Sequence, residues 1–111
     1  YVGKRKYSIP LTQMRLEFSD LNYHLFNKNL IDSPDCRCGL AKEDPEHFFL
    51  SCPRYTAYRG ELLSKVDGIV KGSECALSVH LLLNGSEILN DEKNVELFEI
   101  VLNFIKLSER F

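Results

Sequence analysis

The chain has 111 residues, 44% hydrophobic and 27% charged, which suits one domain with a modest core and excludes a disordered or low-complexity tail. Its formal charge of −2 argues against a general polyanion binder, and its longest apolar run, Leu81-Leu82-Leu83, is far too short to span a membrane. The charge is uneven: residues 1–59 carry nine Lys/Arg against seven Asp/Glu, and residues 60–111 carry five against nine. A nucleic-acid face on the first half is therefore permitted without being required. The chain opens at Tyr1 without a Met and without a charged-then-apolar signal, which leaves open that it is a piece of a longer protein.

Lys4-Arg5-Lys6 reads as a solvated basic linker. After Pro10 a helix is predicted, with Leu11, Met14 and Phe18 at helical spacing and Leu21 and Leu25 continuing the apolar face. Ser19 or Asp20 is expected to cap a second helix through Phe26, and residues 29–34 supply loop chemistry. Cys38-Gly39 is predicted as a knuckle, where Gly takes the positive φ of a tight turn. Glu43-Asp44-Pro45-Glu46 is a helix start, with an acidic N-cap and Pro in the first turn. His47 then falls in the first turn and Cys52 near the end of one short helix. Pro53 begins another helix, with Tyr55, Arg59, Leu62, Leu63 and Val66 on one side, stopped by Gly68 or Gly72.

Residues 73–83 form a third apolar, helical segment that Asn84-Gly85 terminates. Asn90, with Asp91 and Glu92, caps a long final helix whose apolar stripe is Val95, Phe98, Val101, Leu102 and Ile105. No run alternates as a long strand does; at most a short β-ribbon flanks the first cysteines. The expected fold is mostly α, a single small helical domain over residues 1–111 stapled by one structural zinc. Leading helices occupy 10–30, a zinc knuckle 34–54, a post-knuckle helix 53–70 and a C-terminal helical part 73–111.

The most specific pattern is Cys36-x-Cys38-x8-His47-x4-Cys52. Three thiolates and one imidazole make a complete tetrahedral shell for Zn²⁺, with no position left for water or substrate. Such a site holds a fold together and is not expected to be catalytic. Disulfides are the competing reading of four cysteines, but three of them share this cluster with His47, and Cys36 and Cys38 are awkwardly spaced for a mutual bridge. Zinc thiolates imply a reducing compartment, nucleus or cytoplasm. Cys75 stands apart as a small buried hydrophobe. Glu43, Asp44 or Glu46 is expected to accept the other ring N–H of His47. His24 and His80 read as ordinary histidines.

These residues carry a resemblance. Arg15-Leu16 with Leu21-Asn22-Tyr23-His24-Leu25-Phe26, then Cys36-Arg37-Cys38-Gly39, then Glu43-Asp44-Pro45-Glu46-His47-Phe48-Phe49-Leu50, then Cys52-Pro53-Arg54-Tyr55 with Arg59, resembles the CCHC zinc-binding region at the C-terminal end of non-LTR (LINE-type) retrotransposon reverse transcriptases. Residues 90–111 are similar to the closing helix of such polyproteins. The likeness is specific between Arg15 and Arg59 and looser over residues 60–89. It implies a module that handles RNA and target DNA during target-primed reverse transcription, beside a reverse transcriptase body. The chain itself carries no Tyr-x-Asp-Asp-like pair and no spaced acids suited to two metals.

A zinc knuckle flanked by arginines and aromatics suits RNA or single-stranded DNA, because guanidinium groups take phosphates and rings stack on bases. Arg37 lies between two ligand cysteines and is directed outward. Arg54, Tyr55, Tyr58 and Arg59 follow the last ligand on one helix, where positions 55 and 59 share a face. Arg15 joins them from the preceding helix. For each arginine a structural salt bridge is the competing reading. The rival function is a docking or self-association module, in an active element or a domesticated host gene, for which residues 77–83 and the closing helix are the candidate surface; ordinary core is the preferred reading of both segments.

Overall fold

A computed structural model describes the backbone of residues 2–111 and the side chains from residue 9 onward. The Lys4-Arg5-Lys6 side chains thus lie outside the described residues. The elements are α1 (Val2–Arg15), α2 (Asn22–Asn27), a π-helical turn (His47–Ser51), a 3₁₀ turn (Pro53–Tyr55), α3 (Thr56–Val70), α4 (Val79–Asn84) and α5 (Asp91–Ser108). Helix dominates, as the patterning predicts. The β-ribbon shrinks, among the described residues, to a single antiparallel bridge between Asp35 and Lys42. No helix of the described residues is long and apolar enough to cross a membrane.

Helix α1 runs through Pro10 instead of starting at it. Proline lacks the N–H that bonds the carbonyl four residues back. Here tertiary packing overrides that local preference: Pro10, Leu11 and Met14 are buried, and α1 packs on α4 and α5. The helix ends by a left-handed residue at Glu17 (φ 61°). Phe18 N–H donates to the Gln13 carbonyl at 2.8 Å and Glu17 N–H to Met14 at 3.2 Å, a Schellman closure. That closure ejects Phe18 from the expected apolar face, leaving it 64% exposed. The same closure ends α2: Asn29 has φ 61°, and Leu30 N–H donates to Leu25 at 3.0 Å.

Neither Ser19 nor Asp20 caps α2. The Asn22 N–H donates instead to Glu43 Oε1 at 2.9 Å, so a residue from beyond the knuckle completes the helix start. Ser19 is buried and holds His24 Nδ1 at 2.6 Å.

Helix α3 continues past Gly68 to Val70 and buries Arg59, Leu62, Val66, Ile69 and Val70. The third apolar segment is helical only from Val79, where Ser78 accepts the Leu81 N–H at 3.1 Å. Before it, Ser73 Oγ accepts the Cys75 N–H and donates to the Val70 carbonyl, which holds a turn. Cys75 is half-buried. In α5 Asn90 caps as expected, accepting from Lys93 N–H at 2.8 Å. Its buried stripe, however, is Leu97, Val101, Phe104 and Ile105, and Val95 is 58% exposed. The docking of α5 along α3 sets that rotation.

The core centres on Phe48, fully buried, with ring centroids of Phe49, Tyr55, Phe104 and Phe111 at 4.9, 5.1, 5.4 and 5.6 Å. Tilted and edge-on rings at these separations add to simple area burial. The residue that follows His47 thereby anchors the knuckle to the C-terminal helix.

Candidate metal centre

The first two ligands sit on a closed loop. Glu43 N–H donates to the Pro34 carbonyl at 2.8 Å, Cys36 N–H to Ala41 at 2.8 Å and Gly39 N–H to Cys36 at 3.0 Å. Gly39 has φ 78°, with open space where a Cβ would stand. Glycine is therefore favoured there by backbone conformation and not by crowding.

The last two ligands come from the π turn. Asp44 Oδ1 accepts the His47 N–H at 2.8 Å, an N-cap followed by Pro45, as the sequence predicts. The turn then widens: Cys52 N–H donates to the His47 carbonyl five residues back, at 2.7 Å. At about 100° per residue an α-helix would set His47 and Cys52 about 140° apart. The broader i→i+5 turn carries fewer degrees per residue and brings both to one side.

Cys36 Sγ and Cys52 Sγ are 3.7 Å apart, and Cys38 Sγ is 3.2 Å from His47 Nε2. All four ligand atoms lie within 4.8 Å of one another. Metal–sulfur bonds of about 2.3 Å at tetrahedral angles give sulfur–sulfur edges of about 3.8 Å, whereas a disulfide needs about 2.05 Å. All four cysteines are free thiols. These four residues can hold a metal ion. Burial pushes the Cys36 thiol up to about 11, against a backbone N–H from Cys38. The Leu40 N–H, opposed by desolvation, holds the Cys38 thiol below its ordinary value. A bound cation must displace these protons, so metal affinity rises with pH.

No carboxylate among the described residues bonds the His47 ring; the acidic group organises the sulfur side instead. Glu43 is 2% exposed. Arg110 donates to its two oxygens at 3.0 and 2.7 Å, and Arg54 to Oε2 at 2.8 Å. Burial would raise the Glu43 carboxyl, but bonds from Arg110, Asn22 and Arg54, with the Arg110 charge, outweigh it and hold it below the usual range. Arg54 also reaches Cys36 Sγ at 3.1 Å and Cys52 Sγ at 3.4 Å. Donors of this kind favour thiolate over thiol and orient the ligands. With a dication bound, three thiolates would leave one net negative charge and Glu43 would add a second; the two positive charges of Arg54 and Arg110 would balance them.

The nucleic-acid candidates separate. Arg59 and Tyr55 do share a face, and it is the inner one. Arg59 is 9% exposed and donates to the carbonyls of Phe49 at 2.9 Å, Cys52 at 2.7 Å and Phe48 at 3.4 Å. It closes the carbonyl end of the π turn. Tyr55 is 5% exposed, inside the aromatic cluster. Arg15 Nε donates to the Leu83 carbonyl, and its guanidinium lies 4.8 Å from the Phe98 centroid. Arg54 is occupied by the metal centre. Arg37 and Tyr58 remain exposed. His24, buried on Ser19, stands outside the cluster. Arg110 and the sulfur-side role of Glu43 carry no local signal: the pair is 67 residues apart.

Compared with protein families and with solved structures, the chain matches none. One curated protein is similar over a 39-residue stretch, 44% identical: a retrovirus-related Pol polyprotein from type-1 retrotransposable element R1 3 of Nasonia vitripennis. The stretch covers 35% of this chain and 10% of that protein.

Proposed function

We propose that the chain is a non-catalytic, zinc-stapled module of the kind that closes a retrotransposon reverse transcriptase, and that it binds RNA or single-stranded DNA during target-primed reverse transcription. The observation that carries this reading is the Cys36–Cys38–His47–Cys52 cluster, with ligand atoms within 4.8 Å of one another. The likeness to a Pol polyprotein supports it. Zinc is the metal of choice because a set of three thiolates and one imidazole at tetrahedral separations suits it. With all four ligands on the protein the site is closed, so the ion's work is folding. Free thiols as ligands favour a reducing compartment, nucleus or cytoplasm.

The test is binding of structured RNA, single-stranded DNA and duplex across a salt series. Phosphate contacts give affinity that falls linearly as log K against log salt. Undetectable or salt-independent binding contradicts the proposal.

One observation favours a second reading, a docking or self-association module. The candidate surface on residues 77–83 and the closing helix is largely core instead, with Leu81, Leu82, Leu83, Leu97, Val101, Phe104 and Ile105 buried, whereas Leu16, Phe18, Leu30 and Leu40 are 63, 64, 66 and 74% exposed. Sedimentation over a concentration range, alone and with a reverse transcriptase body, separates the two: salt-independent association supports docking.

A further inference from the structure

Arg37, Arg54 and Arg110 line one cleft of about 470 Å³ between the knuckle, the start of α2 and the end of α5. Small-ligand sites commonly hold about 300–1,000 Å³. Two of the arginines are already fixed in place: Arg54 and Arg110 grip the buried Glu43 while their side chains stay 28 and 22% exposed. Among the described residues neither uses its Nη1 amino group in a hydrogen bond.

Arg37 differs. It is exposed and has no hydrogen-bond or ion-pair partner among the described residues. Since Arg54 and Arg110 balance the metal centre and Glu43, Arg37 and Glu109 are the remaining charged groups of the lining, formally offsetting each other but joined by no ion pair. Asn22 and Ser108 add neutral polar groups to the walls, and Glu109 borders the cleft with the opposite sign. Guanidinium groups held from several directions suit a tetrahedral oxyanion with more than two acceptor oxygens better than a planar carboxylate.

We propose that this cleft takes a phosphate group, either a backbone phosphate of a single strand or the phosphate of a free nucleotide. The strand form rests on the nucleic-acid reading above; the phosphate site does not. Arg37 and the Nη1 groups of Arg54 and Arg110 supply the donors, and the Glu43 clamp pre-orders two of them, so little side-chain freedom is lost on binding.

The zinc-loaded full chain, ¹⁵N-labelled, is titrated separately with inorganic phosphate, a mononucleotide and a short single-stranded RNA. Amide shifts at Asn22, Arg37 and Ser108 are expected with each probe. Arg37→Ala removes no hydrogen bond or ion pair among the described residues, so its amide spectrum should remain that of the folded chain. It should weaken phosphate binding several-fold and reduce the log K–log salt slope for the RNA by about 0.7. RNA-induced shifts elsewhere, with none in the cleft, overturn the site and leave the nucleic-acid reading standing. Phosphate shifts in the cleft without RNA binding uphold the site and end the RNA form of that reading. Absence of any shift with all three probes overturns the site and the RNA form of that reading.

Discussion

Glu43 joins three parts of the molecule through one carboxylate: the α2 start through Asn22 N–H, the sulfur ligands through Arg54, and the chain end through Arg110. Removing one partner of a buried pair costs about 3–5 kcal/mol. Because both arginines are partly exposed, Glu43→Gln should cost less, about 2–4 kcal/mol in urea unfolding of the zinc form. A loss under 1 kcal/mol would show that the clamp is incidental. At His24 burial lowers the imidazole pKa, offset in part by Glu17. The unfolded chain therefore binds that proton more readily, and the stability His24 contributes is complete above about pH 6.5 and declines below it. An NMR titration should place the His24 midpoint under about 6.5; a higher midpoint contradicts the burial argument.

The π turn and its arginine set the geometry at the scale of elements. Arg59 neutralises three carbonyls that the turn presents at its end. Arg59→Met should therefore destabilise the fold by about 2–3 kcal/mol while leaving the salt slope of any nucleic-acid binding unchanged. A flattened slope in a stable variant would return Arg59 to the binding face. At the α4 end Gly85 has φ 71° and ψ −161°, a region essentially reserved for glycine, and an added Cβ would meet Asn94 Oδ1 at 2.7 Å. Gly85→Ala should cost about 1–3 kcal/mol in thermal unfolding. Asn94 holds the neighbouring loop by three hydrogen bonds to Ser86 and Leu89, so the clash cannot be relieved cheaply. Local rules were legible in the sequence: the Asp44-Pro45 start, the Asn90 cap, the Gly39 turn and the ligand spacing all depend on residues a few positions apart. The helix through Pro10, the stripe on Leu97 instead of Val95 and the burial of Arg59 were not. Each depends on which element lies opposite, and no short-range signal carries that.

At the scale of the whole molecule the metal centre and the C-terminal helix form one structure. Phe48, next to the ligand His47, packs on Phe104 and Phe111, and Arg110 completes the shell around Glu43. If the site holds zinc as proposed, folding and metal binding are coupled, and apparent zinc affinity becomes folding free energy, about 10–16 kcal/mol for small sites at neutral pH. We propose that Cys36, Cys38, His47 and Cys52 hold one zinc on which the fold depends. Elemental analysis of the purified chain, combined with circular dichroism before and after chelation, tests this most directly. One zinc per chain is predicted, with loss of helix and cooperative unfolding on chelation and recovery when zinc is returned. A chain that contains no metal, or that stays fully folded after chelation, would contradict it.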